Sequence, residues 1–219
     1  MKNSSFKPIA LLLFIILPFL TFSQDVKINV SGNSFCGFSI ESGYYNLNDP
    51  QEYITREAKL GDESGIPDVI NEIKTTIGIS VPIYVYIAKE ENNCFATIAE
   101  GGKRVIIADH LFLNNVNKQS GTEWAAISIL AHEIGHHIAG FNRRSSQLES
   151  ELDADYWSGY ALQKLGASKD ASVKCIMRFG TEHDTNTHPS RYSRSKTIKL
   201  GWDDALNGSY DPDRCESCD

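Results

Sequence analysis

The order of predicted elements places this chain in the α+β class, with a small mixed or antiparallel sheet packed against a mostly helical domain. Apolar residues at helical spacing predict a helix over 66–77, and β-branched segments within 82–108 predict strands. The remaining patterns, from 110 to 200, are all helical. Helices that precede and follow a cluster of strands along the chain are typical of an α+β fold, in which the helices pack on one face of the sheet.

The N-terminal elements follow from local composition. Residues 25–30 alternate in polarity and predict a strand, whereas residues 31–50 are rich in Gly, Ser, Asn and Tyr and predict a loop. Pro67 suits the first turn of a helix, and Gly78 is placed to end it. The strands predicted next span 82–88, 94–98 and 104–108.

The C-terminal half is predicted to be helical. The predicted helices span 110–117, 122–139, 147–165, 169–179 and 189–200. In the second of these, Ile127, Leu130, Ile134 and Ile138 form one apolar stripe. Residues 203–219 are acidic and rich in turn formers, so we expect a loose tail there.

Composition and the first residues exclude some functional classes. The chain has 219 residues and a net charge of −7, so it is a poor candidate for binding nucleic acid or an anionic membrane surface. After Lys2 and Lys7, residues 9–20 form an apolar block that is shorter than the ~20 residues needed to span a bilayer. Small residues follow this apolar block at the positions expected for a cleavage site. This pattern predicts a signal peptide over 1–23, hence an exported protein, periplasmic or extracellular, with no membrane span after cleavage.

The chain has five cysteines, which cannot all pair with one another. They are Cys36, Cys94, Cys175, Cys215 and Cys218. Export permits disulfides, and the last two form a CxxC that favours a local or tail-tethering disulfide. A zinc ribbon would need a second CxxC, and a thioredoxin-like site would need the CxxC at the start of a helix. The pairing stays open.

These segments divide the chain into four parts. The central part, 65–202, contains almost all of the regular patterns and forms the predicted domain. The others are the signal peptide over 1–23, an N-terminal segment of unassigned role over 24–64, and an acidic Cys-containing tail over 203–219.

The motif with the clearest chemistry is HExxH, formed by His132, Glu133 and His136. Histidines four residues apart share one face of a helix, and two imidazoles on one face can bind one zinc ion, Zn²⁺. Glu133 is one residue along, so its carboxylate can reach a water on that metal. The alternative is a pair of core histidines, which would be costly to bury beside a glutamate without a metal.

A third metal ligand is expected on the next predicted helix, because catalytic zinc usually has three protein ligands and one open position. Glu151 and Asp155 share a face of that helix. Glu151 can bind the metal while Asp155 accepts a hydrogen bond from a histidine ring and fixes its orientation. Glu149 and Asp153 form a competing register, and a solvated acidic face is the alternative without function.

His188 lies just before the last predicted helix. A histidine there can donate a hydrogen bond to the oxyanion of a transition state. It can also be a fourth zinc ligand that displaces water and keeps an enzyme latent, or a residue at a helix start without catalytic weight. His137 points about 100° away from His136 on the helix, so we expect it to stay out of reach of the same metal.

Taken in order, these motifs resemble the soluble members of the HtpX and CAAX-prenyl-protease-like family of gluzincin zinc metallopeptidases. The resemblance covers residues 65–202. The matching segments are NCFA at 93–96, RVIIADHL at 104–111, AHEIGHH at 131–137, ELDAD at 151–155, and THPS at 187–190 with Arg194. Membrane members of this family have transmembrane helices, for which this chain has no counterpart after residue 23.

The resemblance implies a gluzincin-type catalytic domain and a zinc metalloendopeptidase with one Zn²⁺ per chain. It favours Glu151 over Glu149 as the third ligand, beside His132 and His136. Glu133 would act as the general base on a water polarised by the metal.

The implied partner is a polypeptide substrate. We expect it to lie extended along an edge strand at Asn93, Phe95 and Ala96, by β-strand addition, with Arg194 also contributing to its binding. The alternative is an exported zinc-binding module without activity, or a latent one, with a binding or chaperone-like role.

Overall fold

The structure is a computed structural model, and it describes residues 25–30, 36–39, 51–139 and 146–209. The predicted signal peptide lies outside the described residues. So do the two tail cysteines and most of the loop predicted over 31–50.

Strands of the described residues form one six-stranded mixed sheet. They are β1 (Asp25–Val30), β2 (Cys36–Ser39), β3 (Gln51–Ala58), β4 (Tyr84–Ala88), β5 (Asn93–Ala99) and β6 (Lys103–Asp109). Their order across the sheet is β1-β3-β4-β6-β5-β2. β4 and β6 are parallel, and every other neighbouring pair is antiparallel. The α+β prediction is confirmed, and so is the strand predicted over 25–30.

The N-terminal segment is part of this sheet, because it supplies β1, β2 and β3. The prediction that β5 is an edge strand is wrong over residues 93–96. There β2 pairs with β5, with Cys36 opposite Ala96 and Ser39 opposite Asn93. Strand pairing between distant segments leaves no trace in local composition. A four-residue strand inside a Gly- and Asn-rich stretch therefore has the composition of a loop.

Helices cover one side of the sheet. They are α1 (Ile66–Thr76), α2 (His110–Ser120), α3 (Trp124–Ala139), α4 (Gln147–Lys164), α5 (Lys169–Ser172), α6 (Lys174–Phe179) and α7 (Arg191–Asn207). The single helix predicted over 169–179 is broken at Val173, which caps both α5 and α6. None of the described helices is long and apolar enough to cross a membrane.

α7 runs further than predicted, so residues 203–207 are helical and the prediction of a loose tail is wrong for them. Residues 210–219 lie outside the described residues. Gly201 follows the predicted end of this helix at residue 200, but it lies inside α7 at a close contact with α4. A Cβ at Gly201 would lie 2.0 Å from the carbonyl oxygen of Tyr156, and one at Gly159 would lie 1.9 Å from that of Ile198. The two glycines therefore allow the backbones of α4 and α7 to approach more closely than side chains would permit.

The core lies on both faces of the sheet. On one face, Ala96 and Ile106 pack with Ile134 of α3 in the main cluster. On the opposite face, Phe95 and Tyr53 belong to a second, smaller cluster. Alternation along β5 therefore directs Ala96 towards the helices and Phe95 away from them.

Candidate metal centre

α3 brings two histidine side chains together in the protein interior. The Nε2 atoms of His132 and His136 are 3.1 Å apart. The side chains are 6% and 2% exposed. One turn of helix separates the two residues, as the sequence predicted, and both rings present Nε2 to the same point.

α4 places a carboxylate beside these nitrogens. Glu151 Oε2 lies 3.4 Å from His132 Nε2, and Glu151 Oε1 lies 3.7 Å from His136 Nε2. Ligand atoms about 2.05 Å from a tetrahedral zinc are about 3.3 Å apart, close to these separations. The buried group of His132, His136 and Glu151 can therefore hold a metal ion.

Gly135 explains how α3 and α4 come close enough for this. A Cβ at Gly135 would lie 2.7 Å from the Cα of Ala154 and 2.8 Å from its carbonyl oxygen. Gly135 precedes His136, and Ala154 precedes Asp155. The missing side chain therefore sets the helix spacing at the metal group itself. A glycine in the middle of a predicted helix was the available signal for this contact.

Asp155 orients the first histidine. Its Oδ1 lies 2.9 Å from His132 Nδ1, which leaves Nε2 of that ring facing Glu151 and His136. Arg194 of α7 holds Asp155 in turn, because its Nε donates to Oδ2 at 2.7 Å and its Nη2 donates to Oδ1 at 2.9 Å. The structure thus places Arg194, 6% exposed, against Asp155 inside the protein.

The competing acidic register has a different place. Glu149 is exposed and belongs to the capping box that starts α4. Its Oε2 accepts from the backbone amide of Ser146 at 2.6 Å, and Ser146 Oγ accepts from the amide of Glu149 at 3.3 Å. Glu149 is therefore used to satisfy the helix start, and Asp153 is only half-buried. Of the acidic residues on this helix, Glu151 is the one grouped with both histidines.

Glu133 is fully buried and has one carboxylate oxygen free for chemistry. Oε2 accepts from the backbone amide of Ala96 at 2.8 Å, whereas Oε1 has no hydrogen-bond partner among the described residues. Burial raises the pKa of Glu133 to about 8, against the opposing effects of His132 and the Ala96 amide. A buried acceptor without a partner is costly and calls for a water or ligand.

Two of the three side chains in the metal group have the protonation state that a metal ligand needs. Burial and the neighbouring His132 lower the pKa of His136 to about 3, so its ring is neutral and can offer a lone pair. Burial opposes ionisation of Glu151, but the hydrogen bond and charge of His132 hold the pKa of Glu151 well below its usual range. Burial also lowers the pKa of His132, yet the charge and hydrogen bond of Asp155 raise it overall, to about 9. Glu151 is thus ionised and His136 neutral, as metal ligands must be, whereas His132 has to release its proton before it can bind a metal.

His188 lies beside the metal group without being part of it. Its Nε2 is 3.5 Å from Glu151 Oε2, and its Nδ1 is 2.9 Å from Thr187 Oγ1. The hydroxyl of Thr185 accepts from the backbone amide of His188 at 2.9 Å, which fixes the turn before α7. His188 therefore lies close to the metal group, and which of its possible roles it has stays a prediction.

The predicted substrate-binding residues of β5 have separate surroundings. Asn93 is buried, and its Oδ1 accepts from the amide of Cys94 at 2.8 Å. Phe95 packs on Tyr53, with ring centroids 4.8 Å apart, on the sheet face away from α3. Of these residues only Ala96 meets the centre, and it does so through the backbone amide bound to Glu133, a contact that side-chain patterns could not reveal.

Two other predictions concern side chains near the centre. His137 Nε2 lies 3.1 Å from the carbonyl oxygen of Val105, so it ties α3 to the sheet and stays apart from the metal group. Cys94 and Cys175 are buried free thiols, and burial raises the pKa of both. Neither therefore forms a disulfide within the part of the chain that the structure describes.

No protein-family model, curated protein or solved structure matches this chain.

Proposed function

We propose that this protein is a zinc-dependent metalloendopeptidase that hydrolyses peptide bonds in exported proteins. The observation that carries the proposal is the free Oε1 of Glu133 in the same buried interior as a three-ligand metal group. The resemblance of the ordered motifs to gluzincin metallopeptidases supports the same function.

Zinc is the metal we assign, because two imidazoles and one carboxylate are a ligand set of catalytic zinc. His132, His136 and Glu151 would hold it, and their ligand atoms lie 3.1, 3.4 and 3.7 Å apart, close to the ~3.3 Å between the ligands of a tetrahedral zinc. When bound, zinc would polarise a water and a peptide carbonyl and lower the pKa of the water towards about 7.

Side chains around the metal group supply proton transfer, ligand orientation and stabilisation of the transition state. Glu133 accepts the proton of the attacking water at its free oxygen and passes it to the leaving amine. Asp155, held by Arg194, keeps the His132 ring turned so that Nε2 faces the metal. His188, at the border of the group, donates a hydrogen bond to the oxyanion of the transition state.

A second candidate function is a latent or non-catalytic zinc-binding module with a binding role. The observation in its favour is that β2 covers the strand along which substrate is expected to lie. Both candidates share the same metal group, so catalysis is what separates them.

Replacement of the general base tests the proposal. Glu133→Gln removes the base but none of the three ligands, so we expect one zinc per chain and hydrolysis of an unfolded protein reduced by about 10²–10⁴-fold. Glu149→Gln is the matched control, because it makes the same change at an exposed acid outside the metal group. Cleavage by Glu133→Gln at the wild-type rate would show that the mechanism is wrong.

A further inference from the structure

The outer side of β5 is already used by another strand of the chain. β6 pairs with β5 from Cys94 to Ala99, and β2 pairs with its other side from Asn93 to Ala96. A strand has two hydrogen-bonding edges, so a third strand cannot add to β5 at residues 93–96 while β2 is there.

The covered stretch is also the part of β5 that reaches the proposed general base. The amide of Ala96 donates to Glu133 Oε2 at 2.8 Å, and the residue opposite Ala96 in β2 is Cys36. β2 also lies against α3, the helix that carries Glu133. An extended polypeptide added to β5 with a carbonyl group close to Glu133 would need the position that β2 holds.

We propose that β2 is an internal strand that occupies the substrate edge of β5 and must leave it before a polypeptide can bind. The proposal rests on the proposed peptidase function and identifies the regulation of that site. β2 is suited to such an exchange, because it has only four residues, lies at the end of the described sheet and, among the described strands, pairs with β5 alone.

Covalent attachment makes β2 an effective competitor. A segment tethered through a short linker acts at an effective concentration of order mM. A free peptide of equal intrinsic affinity must therefore reach that concentration to displace the strand from half of the molecules. β2 therefore raises the KM for unfolded protein. It leaves kcat little changed, because saturating substrate has already displaced the strand.

Proline substitution in β2 tests this exchange. The amides of two consecutive strand residues point to opposite edges, so either Gly37 or Phe38 directs its amide towards β5. The double substitution Gly37→Pro with Phe38→Pro therefore removes the amide that faces β5, whichever residue carries it, and blocks pairing. Gly37→Ala with Phe38→Ala is the matched control, because it changes the same positions and keeps both amides. We expect the proline variant to lower the KM for unfolded protein at least tenfold relative to the alanine variant, with kcat and zinc content unchanged.

A binding assay separates this proposal from the peptidase function. The probe is a fluorescent peptide of residues 34–41 with serine in place of cysteine, measured by anisotropy on both variants in a Glu133→Gln background. Binding to the proline variant that is at least tenfold tighter than to the alanine variant supports strand exchange. If such binding is seen and no variant hydrolyses protein, only the proposed peptidase function fails. Equal binding to the two variants would overturn the exchange, whatever the activity.

Hydrogen exchange of the wild-type chain covers the case in which the proline variant does not fold. Excess peptide of residues 34–41 should raise the exchange of the amides of Cys36–Ser39 and leave those of Asp25–Val30 unchanged. Equal exchange of Cys36–Ser39 with and without saturating peptide would contradict the proposal.

Discussion

Gly135→Ala should damage the metal group far more than it damages the fold. The new Cβ would lie 2.7 Å from the Cα of Ala154, whereas carbon atoms in contact are about 3.5–4.0 Å apart. α3 and α4 must therefore separate by about 1 Å, which as overpacking costs about 1–3 kcal/mol. Replacing a helical glycine with alanine returns about 1 kcal/mol. The net loss of stability is then about 0–2 kcal/mol.

The metal ligands tolerate much less movement than the fold does. A zinc site requires its distances to within about 0.2 Å, and Gly135 is next to His136. We therefore expect zinc affinity to fall by at least about tenfold, measured by competition with a chromophoric chelator. Urea unfolding of the metal-free protein should give the small stability change estimated above.

Gly180→Ala is the matched control for this effect. A Cβ there would lie 2.6 Å from the carbonyl oxygen of Ile176, a similar clash, but none of the three ligand residues lies at that contact. We expect it to lose stability and keep wild-type zinc affinity. Wild-type zinc affinity in Gly135→Ala would refute the argument that this glycine sets the ligand spacing.

Three further predictions concern Arg194, His188 and the ion pair of Asp62. Arg194→Lys replaces the planar pair of nitrogens that holds both oxygens of Asp155 with a single nitrogen on a shorter side chain, so zinc affinity should fall by about 10–100-fold in a chelator titration. His188→Ala should lower kcat by about 10²–10³-fold and keep one zinc per chain, as expected for loss of an oxyanion donor. Asp62→Asn should lower the free energy of unfolding at pH 7 by about 1–3 kcal/mol, because Asp62 forms a hydrogen-bonded ion pair with Arg56. The Arg56 hydrogen bond holds the pKa of Asp62 far below its usual range. Its contribution to stability is therefore present above about pH 4 and lost as the pH falls towards the native pKa.

Each of these predictions has a contrary result. Zinc affinity within twofold of wild type in Arg194→Lys would mean that Asp155 is oriented without the arginine. A gain of activity in His188→Ala would instead support the fourth-ligand hypothesis, in which the histidine keeps the enzyme latent. A difference between wild type and Asp62→Asn in urea unfolding that stays constant below pH 4 would contradict the ion-pair argument.

The helices that carry the site were predictable because their signals are local. The stripe on α3 and the spacing within HExxH placed His132 and His136 on one face of a helix, which the structure confirms. The third ligand was open between two registers on residue pattern alone. The structure decides between the two registers, because Glu149 is used in the capping box at the start of α4. Ser146, three residues before Glu149, was the sign of this capping box in the sequence.

Features that depend on close approach or distant pairing were not predictable. Gly201 and Gly78 are both glycines after an apolar pattern, yet Gly78 has φ +76° beyond the end of α1, whereas Gly201 lies within α7 against Tyr156. Local sequence cannot distinguish a helix end from a helix contact. β2 was missed for the same kind of reason, since what stabilises it is its partner β5.

The most direct test of the metal group is the zinc content of the wild-type chain and of Glu151→Ala after purification and dialysis. We expect one zinc per chain in the wild type and its loss in the variant. The loss follows because two histidines alone leave the site without its third protein ligand. Wild-type zinc content in Glu151→Ala would contradict the account and would direct attention to Glu149 or Asp153 instead.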